Sequence, residues 1–344
     1  MTRPPTMNDV AKEANVSQAT VSYVINNSAS ISQEVHKRVN DAIAKLGYVT
    51  NSNAKSLKTH QTNTVGVLIP DIDSGYYSEM IRETEYFLRR NGYIMFLCNT
   101  SYNPELERQY VTTLIEQNVA GIIIGYGLAD QTIYTQTRNH NKKIVVVDDL
   151  IKFDNVEIPS IEIDNIKAGK IAVSHLLDTG AKKICFASEP LFNRSLKNRY
   201  KGFCAGVAKH HLTDDKWCSI VEERQYKKVE MGYNIGAKIL LDGEIDAVFA
   251  TSDNLAYGIV QKLMEYGKKI PQDIVIMGFD DIPLAQYMTP KLSTISQPIH
   301  DFARLAVGAL FDNTQNSSQG FSYEPLEPLL IVRESTLHHF NGKS

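Results

Sequence analysis

An all-α headpiece followed by a two-lobed α/β core is the fold the sequence predicts, on three observations. The first 50 residues carry apolar positions at helical spacing only. From residue 64 onward short runs apolar on both faces alternate with amphipathic helices. That alternation occurs twice in tandem, so two parallel sheets are expected. The length of 344 residues exceeds one ordinary core, which agrees with several domains.

The headpiece begins with two short helices over residues 6–26. Val10, Ala11 and Ala14 form an apolar stripe on the first, and Val21, Val24 and Ile25 one on the second. Asn15 occupies a turn position suited to positive φ, and Ser17 is placed to cap the second helix. Gln18, Ala19, Ser22 and Tyr23 then face outward with Thr20 beside them. Hydroxyl and amide side chains at a helix N-terminus suit phosphates and base edges in a major groove, so the pair reads as a DNA-binding helix-turn-helix. A third helix is predicted from Val35, Val39, Ile43 and Leu46, capped by Ser32 and ended at Gly47. Residues 51–58 are a short polar segment with one conspicuous leucine, Leu57, too short to hold a helix alone in water.

Strands are predicted in the core at 65–69, 94–97, 121–124 and 144–147, then at 161–163, 184–187, 247–250 and 274–277. The last stretch, with strands at 292–295 and 329–332 around a helix over 299–311, is expected to return to the first lobe. The boundaries that follow are 1–49 for the headpiece, 50–63 for the short polar segment and linker, and 64–344 for the core. Within the core the N-lobe covers about 64–160 and 293–335 and the C-lobe about 161–292.

Composition excludes several classes. With 43% hydrophobic and 22% charged residues the chain is that of a soluble globular protein. No run approaches a membrane span and no secretory layout opens the sequence, so a cytoplasmic, nucleoid-associated location is expected. Cys98, Cys185, Cys204 and Cys218 form no Cys-x-x-Cys pair, and neither metal nor cofactor is expected. No nucleophile elbow or phosphate-binding glycine loop is present, which argues against an enzyme. The net charge of -3 divides unevenly: residues 1–60 hold seven Lys/Arg against four Asp/Glu, and the rest 29 against 35. A basic end on an acidic body fits a nucleic-acid-binding head on a separate core.

Open parallel sheets place ligands at the carboxyl ends of their strands. Asp71, Asp73, Tyr76, Tyr77, Asp148 and Asp149 fall there in the first lobe. Asn193, Arg194, Ser195, Arg199, Asp253 and Asp280 do so in the second. Carboxylates, an arginine and flat rings together suit sugar hydroxyls. Asp253 also reads as a helix cap, Asp281 as a turn residue and Asp164 as a junction between strand and helix. Tyr226 is a weaker cleft candidate.

Asn8-Asp9-Val10-Ala11, Val16-Ser17-x-x-Thr20-Val21-Ser22, Leu46-Gly47-Tyr48 and Asn51-x-x-Ala54-x-x-Leu57 resemble the LacI/GalR family of bacterial transcriptional regulators. Later landmarks keep that family's order, among them Arg199-Tyr200-Lys201-Gly202-Phe203, Gly278-Phe279-Asp280-Asp281 and Leu330-Ile331-Val332-Arg333-Glu334-Ser335. The resemblance implies a periplasmic-binding-protein-like core, a homodimer, a pseudo-palindromic operator and a small sugar-like effector held between the lobes. It matches Gln18, Ala19 and Tyr23 to base-choosing positions, and Thr6, Ser17, Thr20, Ser22 and Asn26 to backbone-gripping ones. It makes Asn51, Ala54 and Leu57 part of a hinge helix that wedges into the minor groove. Arg199 and Asp280 become the leading effector contacts, with Tyr76, Tyr77 and Asp148 next. Tyr23 stands where many members carry arginine, and Thr50 replaces a usual proline. The remaining readings are a regulator needing a co-repressor or protein partner, and a solute-binding protein. No heptad tail follows Glu334, which favours a dimer over a tetramer.

Overall fold

The computed structural model describes residues 3–26, 31–49, 62–126, 131–147, 152–153, 156–223, 227–311 and 323–337. The chain forms two compact units, Met1–Thr62 and Asn63–Ser344. Asn51, Ala54, Leu57, Asp148, Asp149 and Tyr226 lie outside the described residues.

In the first unit, α1 (Met7–Glu13), α2 (Gln18–Asn26) and α3 (Gln33–Leu46) close one small core. Val10, Ala11, Ala14, Val21, Val24, Val39 and Ala42 are its buried centre. Local chemistry sets the helix ends. Thr6 and Asp9 form a reciprocal capping box on α1, and the Ser17 hydroxyl accepts from the Thr20 amide at 3.1 Å. Asn15 takes φ 49° in the turn between α1 and α2 as expected, and Gly47 ends α3 at φ 60°. Arg38 of α3 donates to the carbonyls of Ala14 and Asn15 at 2.5 and 2.8 Å, which ties the turn to the third helix.

The second unit opens with β1 (Thr64–Ile69), α4 (Gly75–Arg90), β2 (Ile94–Asn99), α5 (Pro104–Glu116) and β3 (Gly121–Ile124). It continues through α6 (Gln131–Asn139), β4 (Lys143–Val147), the short hairpin strands β5 (Lys152–Phe153) and β6 (Val156–Glu157), and β7 (Ser160–Ile161). Then follow α7 (Asn165–Asp178), β8 (Ile184–Ser188), α8 (Arg194–Lys209), β9 (Trp217–Val221), α9 (Lys228–Asp242), β10 (Ala247–Ala250) and α10 (Asp253–Glu265). β11 (Val275–Asp280), β12 (Ser293–Ser296), α11 (Ile299–Phe311) and β13 (Leu329–Ile331) complete it. The first sheet runs β2-β1-β3-β4-β7 and is parallel throughout. The second runs β13-β12-β11-β10-β8-β9 and is parallel except where β13 meets β12. No described helix is long and apolar enough to cross a membrane.

Three expectations are corrected. The strand expected to open the second lobe at 161–163 is β7, the edge of the first sheet, where Ser160 and Ile161 pair with Val146 and Val147. An isolated apolar run does not say which sheet edge it will meet. The strands at 292–295 and 329–332 do not return to the first lobe: β12 pairs with β11 from Met277↔Ser293 to Asp280↔Ser296, and β13 pairs with β12. Among the described elements of this stretch, α11 is the one that returns, packing on α4, β3 and β4 through a face of small and apolar residues that includes Phe302, Ala306 and Leu310. Buried hydroxyls explain why β12 stays. Ser293 and Thr294 are fully buried: the Ser293 hydroxyl donates to the Arg333 carbonyl at 2.9 Å, its amide donates to the Ser335 hydroxyl at 2.8 Å, and the Thr294 hydroxyl donates to Asp253 of the second lobe at 2.6 Å. Finally, β2 is not apolar on two buried faces. It is an edge strand with Ile94, Phe96 and Leu97 exposed by 57%, 42% and 39%.

Candidate functional site

On the headpiece, α2 buries Val21 and Val24 and leaves Gln18, Ala19, Tyr23 and Asn26 exposed, with Thr20 and Ser22 half-buried. The Ser17 hydroxyl bonds the Thr20 hydroxyl at 2.8 Å, and the Asn26 amide donates to the Ser22 carbonyl at 2.8 Å. Thr6 is committed to its own helix, its hydroxyl donating to the Asp9 carboxylate at 2.6 Å. That carboxyl is held below its ordinary range, first by the side-chain and backbone bonds from Thr6.

In the core, a cleft of about 430 Å³, partly open to solvent, lies at the carboxyl ends of both sets of parallel strands. Of the candidates from sequence, Tyr76, Tyr77, Asn193, Arg199 and Asp280 line it. Arg199 enters from α8 and is only 5% exposed. Its Nε donates to the Asn165 side-chain oxygen and its Nη1 to the Thr251 carbonyl, each at 2.7 Å, while the guanidinium lies 3.5 Å from the centre of the Phe279 ring. These contacts fix the plane of the guanidinium, and no partner holds Nη2 among the described residues.

Asp280 ends β11 at φ 112°, and Asp281 follows at φ 57°. Two consecutive non-glycine residues with positive φ store strain that surrounding bonds must offset. The Asp280 carboxylate accepts from Gln297 at 2.7 Å, and Asp281 pairs with Arg333 at 2.6 Å. Asp253 completes the clamp, accepting from the Ile282 amide at 2.8 Å and from the Thr294 hydroxyl at 2.6 Å. Gly278 leaves room for it: a Cβ there would lie 2.1 Å from the Asp253 carboxylate. Burial, then the nearby Asp280 charge, pushes the Asp253 carboxyl well above its ordinary range.

Asp253 is therefore not in the cleft lining; it braces the loop that presents Asp280. Arg194 is not in the lining either, and its guanidinium pairs with Glu162 at 3.2 Å. Asn193 lines the cleft while its side chain caps α8 through the Leu196 amide at 2.7 Å. Asp164 caps α7 through the Lys167 amide at 2.8 Å, the junction role read from sequence. Asp71 is outside the lining and accepts from the Asp73 amide at 3.0 Å.

Sequence reasoning missed the aromatic trio of Tyr102, Tyr126 and Phe192, whose ring centres lie 5.5 to 6.2 Å apart in edge-to-face contact across the cleft. It also missed an ion pair between Lys228 and Glu189 at 2.8 Å. Glu189 directly follows β8, so the strand-end rule that nominated Asp280 would have found it. Lys228 opens α9 with no pattern to mark it. Burial by itself would depress the Lys228 ammonium, but Glu189, Tyr102 and Asp280 more than offset this and hold it above its ordinary range.

Comparison with known proteins supplies the context. Residues 6–51 match the bacterial regulatory proteins of the lacI family, and residues 173–336 match a periplasmic binding protein-like domain. The ribose operon repressor of Halalkalibacterium halodurans is 32% identical over 332 residues, 96% of this chain and 97% of its own. The chain belongs to the LacI family of bacterial transcriptional regulators.

Two solved structures agree with that. A LacI family transcriptional regulator from Enterococcus faecium with bound ribose is 27% identical, covers 81% of this chain and 100% of its own, and superposes with a TM-score of 0.72. The lac repressor dimer bound to operator and an anti-inducer shares the fold over 97% of this chain and 100% of its own at a TM-score of 0.82 and 24% identity. This LacI-family regulator thus combines a DNA-binding headpiece with an effector-type core, and its family consists of regulators rather than enzymes.

Proposed function

We propose that this regulator is a repressor of a carbohydrate-utilisation operon, released or engaged by a small sugar bound in the cleft. One observation carries the reading: a rigidly held guanidinium, Arg199, and a strained carboxylate, Asp280, stand in one cleft with the rings of Tyr76, Tyr77, Tyr102 and Tyr126. Directional donors and acceptors read hydroxyls, and ring faces cover the apolar side of a sugar. The ribose named for a relative and for a solved neighbour supports a pentose as the first ligand to test.

The headpieces of a homodimer read the two halves of a pseudo-palindromic operator, with Gln18, Ala19 and Tyr23 of α2 at base edges. The exposed apolar side chains of edge strand β2, Ile94, Phe96 and Leu97, supply a surface that a second copy would cover. Asn51, Ala54 and Leu57 act as the DNA-ordered hinge, the leucine wedging at the operator centre. A ligand that favours one lobe arrangement shifts the dimer between states of different operator affinity.

A thermal-shift screen of pentoses, hexoses, disaccharides, sugar acids, sugar phosphates and nucleobases tests the reading. A ligand at about 100 times its Kd adds roughly 2.7 kcal/mol of stability. A sugar hit that also changes operator retention supports it. A nucleobase as the sole hit, or a blank across the sugars, sinks it in favour of a different co-regulator. Sedimentation at several concentrations tests the dimer, and a monomer throughout would remove the β2 interface.

A further inference from the structure

Most charges of this cleft belong to one wall and are already balanced. Glu189 follows β8 and is 5% exposed; Lys228 begins α9; they meet at 2.8 Å. Among the described residues Glu189 is the Lys228 ammonium's ion-pair partner. An ammonium has three donors, so the contact with Glu189 does not exhaust it, and the carboxylate retains acceptor capacity beside it. Side by side, the pair offers a donor and an acceptor, both charge-assisted, which is the pattern that adjacent hydroxyl groups satisfy.

The same pair weighs against an anion. The cleft lining holds two cations, Arg199 and Lys228, against two carboxylates, Glu189 and Asp280. Asp71 sits outside the lining but within electrostatic reach of both Lys228 and Glu189. A phosphate ester would bring nearly two further negative charges into a cleft whose two lining cations are already equalled by its two lining carboxylates.

We infer that the Glu189–Lys228 pair is the specificity element of the cleft, reading neighbouring hydroxyls of an uncharged sugar and excluding the phosphate ester of that sugar. The inference rests on the sugar-effector reading above and narrows it to one chemical class.

Calorimetric titration of the full-length protein with matched pairs tests it: D-ribose against D-ribose 5-phosphate, D-glucose against D-glucose 6-phosphate, and D-fructose against D-fructose 1-phosphate. In each pair that binds, the free sugar should be tighter by at least about tenfold. Glu189→Gln leaves Lys228 uncompensated and should move the ratio toward the ester by about tenfold, whereas Lys228→Met should weaken the free sugar without gaining the ester. A phosphate ester that binds the wild-type protein more tightly than its free sugar overturns the inference and leaves the sugar-effector reading standing. An unchanged ratio in a folded Glu189→Gln variant also overturns it. If neither member of any pair binds, the inference and the reading beneath it both fall. The wild-type comparison decides the matter even if a single-charge variant does not fold.

Discussion

The first-lobe wall of the cleft presents the rings of Tyr76, Tyr77, Tyr102 and Tyr126, whereas the second-lobe wall presents Glu189, Arg199, Lys228 and Asp280, with Phe192 as its aromatic element. The rings sit just beyond the ends of β2 and β3 and on the first turn of α4. Each described charge is held by named bonds: Arg199 by Asn165 and Thr251, Asp280 by Gln297, Lys228 by Glu189. One wall therefore supplies sequence-tolerant contact area and the other supplies direction. A ligand gains both only when the lobes face each other across it, which is how binding energy becomes a preference for one lobe arrangement.

The largest expected effect is on the charged wall. Arg199→Ala removes two hydrogen bonds from a charged donor and leaves the Asn165 side chain and the Thr251 carbonyl without their donor. It should cost roughly 3 kcal/mol of core stability and abolish the sugar-induced rise in Tm. Denaturant unfolding and the thermal-shift screen measure the two consequences separately. Retention of a full sugar response would contradict the division of labour between the walls.

Next comes the brace behind that wall. Asp253→Ala should lose about 1–3 kcal/mol, because the Ile282 amide and the Thr294 hydroxyl are left without their acceptor. Asp253→Asn should be far milder, since the amide oxygen can take the Ile282 bond while the amide nitrogen donates to the Thr294 hydroxyl. The two variants also separate by pH. A carboxyl whose folded pKa is raised binds more protons in the native state than in the unfolded one. Its contribution to stability is therefore full below the ordinary carboxylate range and declines as pH rises above about 3.8 toward the raised folded value. Unfolding free energies taken across that rise should flatten in Asp253→Asn. An unchanged slope would mean that the carboxyl ionises in the folded protein as it does in water.

The aromatic wall should respond more gently. Tyr102→Ala removes two edge-to-face contacts, with Tyr126 and Phe192, each worth about 0.5–1.5 kcal/mol. Sugar affinity should fall about tenfold, and Tyr102→Phe should keep most of it if the ring rather than the hydroxyl is what matters. Equal losses in both variants would instead assign the phenol a directional role and blur the contrast between the walls. The smallest effect is expected at Ser74, which begins α4 in the lining but makes no capping hydrogen bond. Ser74→Ala should change stability by less than about 0.5 kcal/mol in the same unfolding assay, because no cap is lost.

Local patterns made the headpiece legible. The apolar stripes on α1 and α2, the positive φ at Asn15 and the Ser17 cap are each decided within a few residues, and the structure has them as the spacing implied. The strand-end rule worked in the same way for Tyr76, Tyr77, Arg199 and Asp280, because a parallel strand delivers its next residues to the cleft whatever its neighbours are. The rule failed where one position has two possible duties. Asp253 follows a strand as Asp280 does, yet its carboxylate is consumed by a backbone amide and a hydroxyl from the loop after β11 and from β12.

What the chain determined by itself was thus the alternation of helix and strand, the helix caps and the placement of Tyr76, Tyr77, Asn193, Arg199 and Asp280 at the cleft, all legible from periodicity, capping and position after a strand. The tertiary structure alone decided which sheet β7, β12 and β13 would join, because strand partners are chosen by edges distant in sequence. It also brought Lys228 to Glu189, 39 positions apart in numbering, to make an ion pair that neither segment announces. Long-range pairing of this kind depends on the closure of intervening chain and the burial of both partners, and no local pattern encodes either.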